Sequence, residues 1–282
     1  MGKYEDALKS YTLNFNKEQK NSLLDEIKKE IEKTDNETLR KIFGCIDMTT
    51  LNITDTENDM VEFINNVNKL SEDKTLPPFA SVCSYPIYIN LIKKNLKNKE
   101  TRICVPTGFP NPSTYLEVKI AETALAASEG ADEIDIVISV NKIIEKKYDE
   151  VGEEIEEIKY ACRDAKLKVI LESEVLNDEQ IYNAALTAIY AGADFIKTST
   201  GKLKTGATNE AAIVICKAIK DFYEKTNQRI GFKAAGGIRT WEDAVTYYKI
   251  TEKVCGKEWL NKEYFRLGAS KLADEIVKKV KG

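Results

Sequence analysis

The sequence predicts an α/β protein, a (β/α)8 TIM barrel behind an N-terminal helical extension. Three observations carry this. Eight short apolar runs alternate with helical patterns, and their starts lie 23 to 38 residues apart, the length of one strand–helix unit. Eight such units fill roughly 250 residues, the usual size of a closed barrel, and the chain has 282. No GxGxxG turn follows the first run, where an open doubly wound sheet would normally offer one. The expected division is an extension over 1–40 and a barrel domain over 41–282.

The first expected element lies outside the barrel. Asn16 and Gln19 pair as a helix start, and Leu23, Leu24, Ile27 and Ile31 share one face of a helix running to Lys33. The strands then follow as Lys41–Met48, Phe79–Cys83, Arg102–Pro106, Asp132–Ser139, Lys168–Glu172, Asp194–Thr198, Arg229–Ala234 and Tyr264–Leu267. Between them, Pro112 suits a first helical position and Thr208 caps Asn209–Tyr223. Thr240 with Asp243 opens another helix. Ser270 is expected to cap the last one, whose Lys-rich end suits the helix dipole.

Composition narrows the chemistry. Hydrophobic residues make up 43%, enough for a sizeable core, and 42 basic against 46 acidic residues give a net charge of −4. That balance argues against a general nucleic-acid binder or a membrane-surface protein. No apolar run approaches the ~18 residues of a membrane span, and the N-terminus has no apolar signal core. There is no histidine, so a Ser-His-Asp triad, an HExxH metal site and a His general base are excluded. Acid–base work must fall to Asp, Glu, Lys, Tyr, Cys or water. Cys45, Cys83, Cys104, Cys162, Cys216 and Cys255 contain no CxxC pair. They read as reduced, mostly core thiols of a cytoplasmic protein with no structural zinc.

Strand parity separates the two faces of the sheet. Ile134, Ile136 and Ile138 point to the helices, which turns Glu133, Asp135 and Val137 inward. Val169 and Leu171 point outward, Lys168 and Glu172 inward. Lys197 shares the inner face with Phe195, and Lys233 lies opposite the outward Phe232. Four consecutive strands thus bring Asp135, Lys168, Lys197 and Lys233 inside, towards the C-terminal ends where barrel sites form. A structural ion-pair ladder is the plain alternative, but three lysines held close together need a further reason. Amine chemistry supplies one. Desolvation and a neighbouring cation favour a neutral lysine, which attacks carbonyls to form a Schiff base. Lys197, Lys233 and Asp135 fit the roles of nucleophile, neighbouring cation and proton relay without a metal or cofactor.

The loops after the last three strands carry Gly201 and Lys202, then Gly236 and Gly237, then Gly268 and Ser270. Glycines let backbone N–H groups approach an anion, and barrels often bind phosphate there. Weaker features read as structural. Glu150–Glu157 is a solvated helix face, Trp241 and Trp259 are packing residues, and Cys83 faces the core.

The segments Phe195-Ile-Lys-Thr-Ser-Thr-Gly-Lys202 and Gly231-Phe-Lys-Ala-Ala-Gly-Gly237 resemble the deoxyribose-phosphate aldolase family, as do Asp47–Asn52, Ala80–Pro86, Gly130–Asp135 and Arg266–Ser270. The resemblance implies a barrel cleaving a small-molecule sugar phosphate, 2-deoxy-D-ribose 5-phosphate, into acetaldehyde and glyceraldehyde 3-phosphate with no cofactor. By position it implies Lys197 as the Schiff-base lysine, Lys233 as the lysine that tunes it, and Asp135 in the proton relay. Lys168 falls on an inner-face position, and Gly201, Lys202, Gly236, Gly237 and Ser270 on phosphate-binding ones. Many members carry a second serine where this chain has Lys271. A homodimer is the expected assembly. The rival readings are a Schiff-base lyase for another sugar phosphate and a non-catalytic phosphosugar-binding barrel.

Overall fold

A computed structural model describes residues 2–281. Helices α1 (Lys3–Leu8), α2 (Lys17–Ile31) and α3 (Asn36–Phe43) precede strand β1 (Ile46–Thr49). There follow α4 (Glu57–Leu70), β2 (Ser81–Cys83), α5 (Ile89–Asn95), β3 (Arg102–Thr107), α6 (Leu116–Glu129) and β4 (Glu133–Val137). Next come α7 (Val140–Ile144), α8 (Tyr148–Ala161), β5 (Lys166–Ile170), α9 (Asp178–Tyr190) and β6 (Phe195–Lys197). The chain closes with α10 (Asn209–Thr226), β7 (Gly231–Ala235), α11 (Trp241–Val254), β8 (Phe265–Ala269) and α12 (Leu272–Lys281). The eight strands are all parallel and close in chain order, β8 pairing β1 through Ile46↔Leu267. The fold is the (β/α)8 barrel that the alternation predicted.

Parity holds along the strands. Ile134, Ile136, Val169 and Phe232 join the apolar layer between sheet and helices. Glu133, Asp135, Lys168, Lys197, Lys233 and Arg266 are buried on the inside. The lower interior is filled by Phe195, and Gly231 is required beside it, since a Cβ there would meet the ring at 2.2 Å.

The first strand departs from expectation. Lys41–Phe43 belong to α3, whose start is held by the Asp35 carboxylate accepting from the Thr38 N–H at 2.8 Å. Leu39, Ile42 and Phe43 are all buried on one side of it. A short apolar run suits a helix end or a buried strand equally, and only packing separates them. The last helix also starts later than expected, at Leu272, so Ser270 lies in the loop before it and is not its cap.

The extension packs along the outer ring. The Asn16–Gln19 capping box opens α2 as its sequence predicts. Buried Ile27 fixes α2 to the ring, and Lys253 of α11 bridges Glu26 and Glu30 at 2.6 and 2.7 Å. The unforeseen α1 inserts Tyr4 against α8, where a Cβ on Gly152 would lie 2.3 Å from its ring. The acidic run of α8 is not all solvated. Glu154 is buried and accepts from Lys119 Nζ at 2.7 Å and from Ser139 Oγ at 2.5 Å. Both partners sit on neighbouring elements that the local charge pattern does not show. Trp259 is buried with its indole N–H donated to the Ile230 carbonyl at 2.8 Å, a packing role as expected. No helix of the structure is long and apolar enough to cross a membrane, among the described residues.

Candidate active site

Asp135 of β4 is the hub of the interior. Its Oδ2 accepts from Lys197 Nζ at 2.7 Å and from Lys233 Nζ at 2.8 Å. Its Oδ1 accepts from Lys168 Nζ at 2.9 Å and from the Cys104 thiol at 3.1 Å. The register explains the convergence. Asp135 pairs with Lys168 across β4–β5, and Lys197 with Lys233 across β6–β7, so inward side chains meet over the axis.

A second tier lies beneath. Arg266 of β8 forks between Asp47 Oδ1 at 2.6 Å and both oxygens of Glu133, at 2.6 and 2.9 Å. Lys168 joins the tiers by reaching Glu133 Oε2 at 2.7 Å, and Lys233 does so by reaching Asp47 Oδ2 at 2.6 Å. All of these charges are buried. Unpaired, each would cost several kcal/mol, so their mutual arrangement is a condition of the fold.

Electrostatics follow from these contacts. Burial pushes Glu133 up, but Lys168 and Arg266 outweigh it and hold the carboxyl at about 2. Burial acts the same way on Asp135, yet Lys168, Lys197 and Lys233 hold it well below the carboxylate range. Asp47 is likewise held down, against burial, by Lys233 and Arg266. Burial favours neutral amines, but Asp135 and Asp47 keep Lys233 above the ordinary lysine range, and Asp135 and the Cys104 sulfur do the same for Lys168. Four buried cations (Lys168, Lys197, Lys233 and Arg266) thus face three buried carboxylates (Asp47, Glu133 and Asp135), and the half-buried Arg102 also reaches Glu133 Oε1 at 3.2 Å. Lys233 and Arg266 each touch two carboxylates, and Lys168 touches Glu133 and Asp135 and reaches Asp47 at 3.9 Å. Lys197 touches one oxygen, shared with Lys233.

Of the three lysines only Lys197 lines the cavity at the C-terminal mouth, a space of about 450 Å³. Gly201, Lys202, Gly236, Gly237 and Ser270 line the same space. Gly201, Gly236 and Gly237 all have positive φ. The loops after β6 and β7 meet glycine on glycine: a Cβ on Gly236 would lie 2.9 Å from Gly206 Cα and 3.0 Å from Gly201 Cα. The loop after β5 holds the loop after β6 in place. Glu172 accepts from Thr200 Oγ1 at 2.6 Å, and Glu174 accepts from the Thr205 N–H at 2.9 Å and from the Gly206 N–H. Glu172 itself has φ +55, and burial raises its carboxyl. Lys202 donates to the Leu51 carbonyl in the loop after β1, closing the mouth on that side. Arg239 and Lys271 also reach the cavity, so four cations and no carboxylate line it among the described residues.

The arrangement is a buried amine under a cationic, glycine-lined mouth. Residues 42–253 match the model of the DeoC/LacD family aldolases. The chain belongs to this family. It is an aldolase, a carbon–carbon lyase, on the barrel that the family uses. The deoxyribose-phosphate aldolase of Homo sapiens is 36% identical over 255 residues, covering 86% of this chain and 80% of that protein. The one of Bos taurus matches at the same identity and coverage. A structure described as a unique tetrameric deoxyribose phosphate aldolase from Aeropyrum pernix superposes with a TM-score of 0.69, covering 91% of this chain and 97% of its own, at 24% identity. At that identity the likeness speaks for the fold alone.

Every site residue expected from the aldolase's sequence lies in the interior network or at the cavity. Sequence reasoning assigned no place to Asp47, Arg266 or Arg239, and met Lys271 only as the residue that stands where many relatives carry a second phosphate-site serine and could supply charge instead. Asp47 and Arg266 carry the same signal that found Lys233, a charge between apolar neighbours in a strand, as in Ile46-Asp47-Met48 and Phe265-Arg266-Leu267. The mistaken start of the first strand hid one of them. Arg239 and Lys271 are loop residues with no periodic signal. Cys83 and Cys104, register partners on β2 and β3, face the ion network inside the barrel and not the helix-facing core.

Proposed function

We propose that the chain cleaves 2-deoxy-D-ribose 5-phosphate reversibly to D-glyceraldehyde 3-phosphate and acetaldehyde, with Lys197 as the Schiff-base nucleophile. The observation that carries this is the position of Lys197, the only lysine of the Asp135 cluster that reaches the cationic cavity. The phosphate is assigned to Gly201, Lys202, Gly236, Gly237 and Ser270, with Lys271 and Arg239 adding charge. Backbone N–H groups at left-handed glycines and lysine ammoniums are suited to an anion.

The neutral Lys197 amine attacks C1 of the open-chain aldehyde. Loss of water leaves an iminium, which withdraws electrons from C2. A base takes the proton of the C3 hydroxyl, and the C2–C3 bond breaks. C3 becomes the aldehyde carbon of glyceraldehyde 3-phosphate, while C1 and C2 remain on Lys197 as an enamine. Protonation at C2 and hydrolysis then release acetaldehyde and free the lysine. Asp135 is buried behind Lys197, so it acts on the substrate through water or through the amine it touches. A carboxylate held this low is a weak base, which suits it to pass a proton on and not to keep it. Lys233, held protonated by Asp47 and Asp135, is the cation next to the nucleophile and the proton reserve of the relay. Lys168 fixes the far oxygen of Asp135.

Residues 1–40 are assigned no part in the reaction; the described ones contact outer helices, as Lys3 does Glu156, Tyr11 does Tyr190, Lys20 does Asp178 and Glu26 does Lys253. We also propose a homodimer in the cytoplasm. Six free, buried cysteines support a reducing setting, and the exposed Leu125 and Tyr160 on adjacent helices α6 and α8 are apolar side chains that a second subunit would cover. Sedimentation reads the assembly.

Borohydride trapping in the presence of 2-deoxyribose 5-phosphate tests the mechanism. A covalent adduct on Lys197, lost together with activity in Lys197→Ala, is the expected result. Full activity of that variant would overturn it. Acetaldehyde released from another sugar phosphate but not from this one would favour the related lyase, and tight binding without turnover a binding protein.

A further inference from the structure

Gly201 and Lys202 are both assigned to the phosphate, yet their loop has little of its own to fix it. It runs from β6 to α10 with no helix or strand. Residues 201–205 are all exposed, so no apolar burial pins this stretch. We propose that Glu172 and Glu174 are positioning residues for phosphate recognition. They hold the two ends of the loop so that Gly201 and Lys202 meet the sugar phosphate, and 2-deoxyribose 5-phosphate is thereby preferred over the unphosphorylated sugar. The inference rests on the phosphate binding at Gly201, Lys202, Gly236, Gly237 and Ser270.

The loop is held at two points. At its start, Glu172 accepts from the Thr200 N–H at 3.2 Å and from Thr200 Oγ1 at 2.6 Å. Thr200 Oγ1 in turn accepts from the Lys202 N–H at 3.1 Å. The N–H groups on either side of Gly201 are thus engaged, and the Gly201 N–H between them has no partner among the described residues. At the far end, Glu174 Oε2 accepts from the Thr205 N–H at 2.9 Å and from the Gly206 N–H. Neither carboxylate forms an ion pair among the described residues, and neither lines the cavity. Both hold the loop from behind, out of the space the anion would fill.

Glu172 takes its place at a cost. Its φ of +55 and ψ of +55 lie in the left-handed region, which glycine occupies freely and an L-residue does not. The turn sends the chain from β5 across to the β6 side, where the Ser173 N–H donates to the Thr198 carbonyl at 2.9 Å. Glycine would serve that backbone better. What glutamate adds is a buried carboxylate whose hydrogen bonds go to Thr200. A strained residue whose side chain serves the neighbouring loop points to a task in that loop. Burial raises the Glu172 carboxyl, and the Lys197 charge opposes it. Any effect of Glu172 on the amine would therefore be felt with either sugar, phosphorylated or not.

The experiment compares kcat and KM for 2-deoxyribose 5-phosphate and for unphosphorylated 2-deoxyribose in Glu172→Gly, Glu174→Ala and Glu174→Gln. Glycine relaxes the left-handed turn, so Glu172→Gly removes the carboxylate without adding strain. Its kcat/KM for the phosphorylated sugar is expected to fall about tenfold or more, chiefly through KM, and that for the unphosphorylated sugar by less than about threefold. Glu174→Ala shifts the ratio in the same direction. Glu174→Gln, whose amide oxygen still accepts from Thr205 and Gly206, recovers most of it. Equal losses on the two sugars in Glu172→Gly would show a role in general site integrity and overturn the proposal. So would an unchanged preference for the phosphorylated sugar, or a stronger one, which is the sign of carboxylates that merely repel the anion. Where Glu172→Gly does not fold, the Glu174 pair decides: a ratio unmoved in Glu174→Ala, or not recovered in Glu174→Gln, overturns it. An unsubstituted protein that shows no preference for the phosphorylated sugar, and with which inorganic phosphate does not compete, would instead refute the phosphate assignment itself.

Discussion

Substituting Gly236 by alanine separates phosphate recognition from aldol chemistry. Gly236 has φ +92, a conformation that costs an L-residue about 1–2 kcal/mol. Its added Cβ would press on backbone at two places, Gly206 Cα at 2.9 Å and Gly201 Cα at 3.0 Å, and neither can swing aside as a side chain would. The loops after β6 and β7 must therefore part by several tenths of an ångström. That moves the N–H groups assigned to the phosphate, while Lys197 and Asp135 lie on strands below. Losing one hydrogen bond to a charged group costs about 1.5–3 kcal/mol, a fall of roughly 10- to 150-fold in kcat/KM for 2-deoxyribose 5-phosphate. Unphosphorylated 2-deoxyribose has no such bond to lose, and its turnover should fall by less than about threefold. The assay is product formation from both sugars, side by side. Equal losses on the two would place Gly236 in general site integrity, and no loss on either would remove it from phosphate binding; both results refute the assignment.

Two further outcomes concern stability. Lys119 and Glu154 form an ion pair whose side chains are 1% and 5% exposed, so Lys119→Met should cost about 3–5 kcal/mol by stranding the carboxylate. The double variant Lys119→Met, Glu154→Met should recover most of this, and thermal unfolding of both proteins checks the difference. Glu133 is held at about 2, below its unfolded value of 4.5. A depressed carboxyl stabilises above its unfolded value and loses that contribution as pH falls through the folded one. About 3 kcal/mol should disappear between pH 4.5 and pH 2, and urea midpoints measured down that range should flatten in Glu133→Gln.

Most of the fold and much of the candidate site could be read from local pattern. Alternation along Glu133–Ile138 assigned each face of β4 without any partner in view, because a strand's period is a property of the backbone. The capping pair Asn16–Gln19 marked α2 because its hydrogen bonds join residues three apart. Glycines ending three successive strands marked the cavity mouth for the same reason. The misreadings occur where packing decides. Lys41–Phe43 is helical because its apolar side chains fit the outer layer. Glu154 is buried because Lys119 and Ser139 come to it from other elements. Ser270 lies in a loop because α12 begins two residues later.

The sequence by itself determined the barrel, the inward placement of Asp135, Lys168, Lys197 and Lys233, and the loops that border the cavity. These follow from periods of two and 3.6 residues and from turn chemistry, which act over a few residues. Only the tertiary structure decided how the charges pair. Arg266 meets Asp47 across 219 residues of chain, and Lys233 meets Asp135 across 98. Closing the sheet brings the first strand beside the last and joins seven buried charges into one network. A lysine's partners in a low-dielectric interior decide its chemistry, and those partners come from strands that local pattern cannot connect.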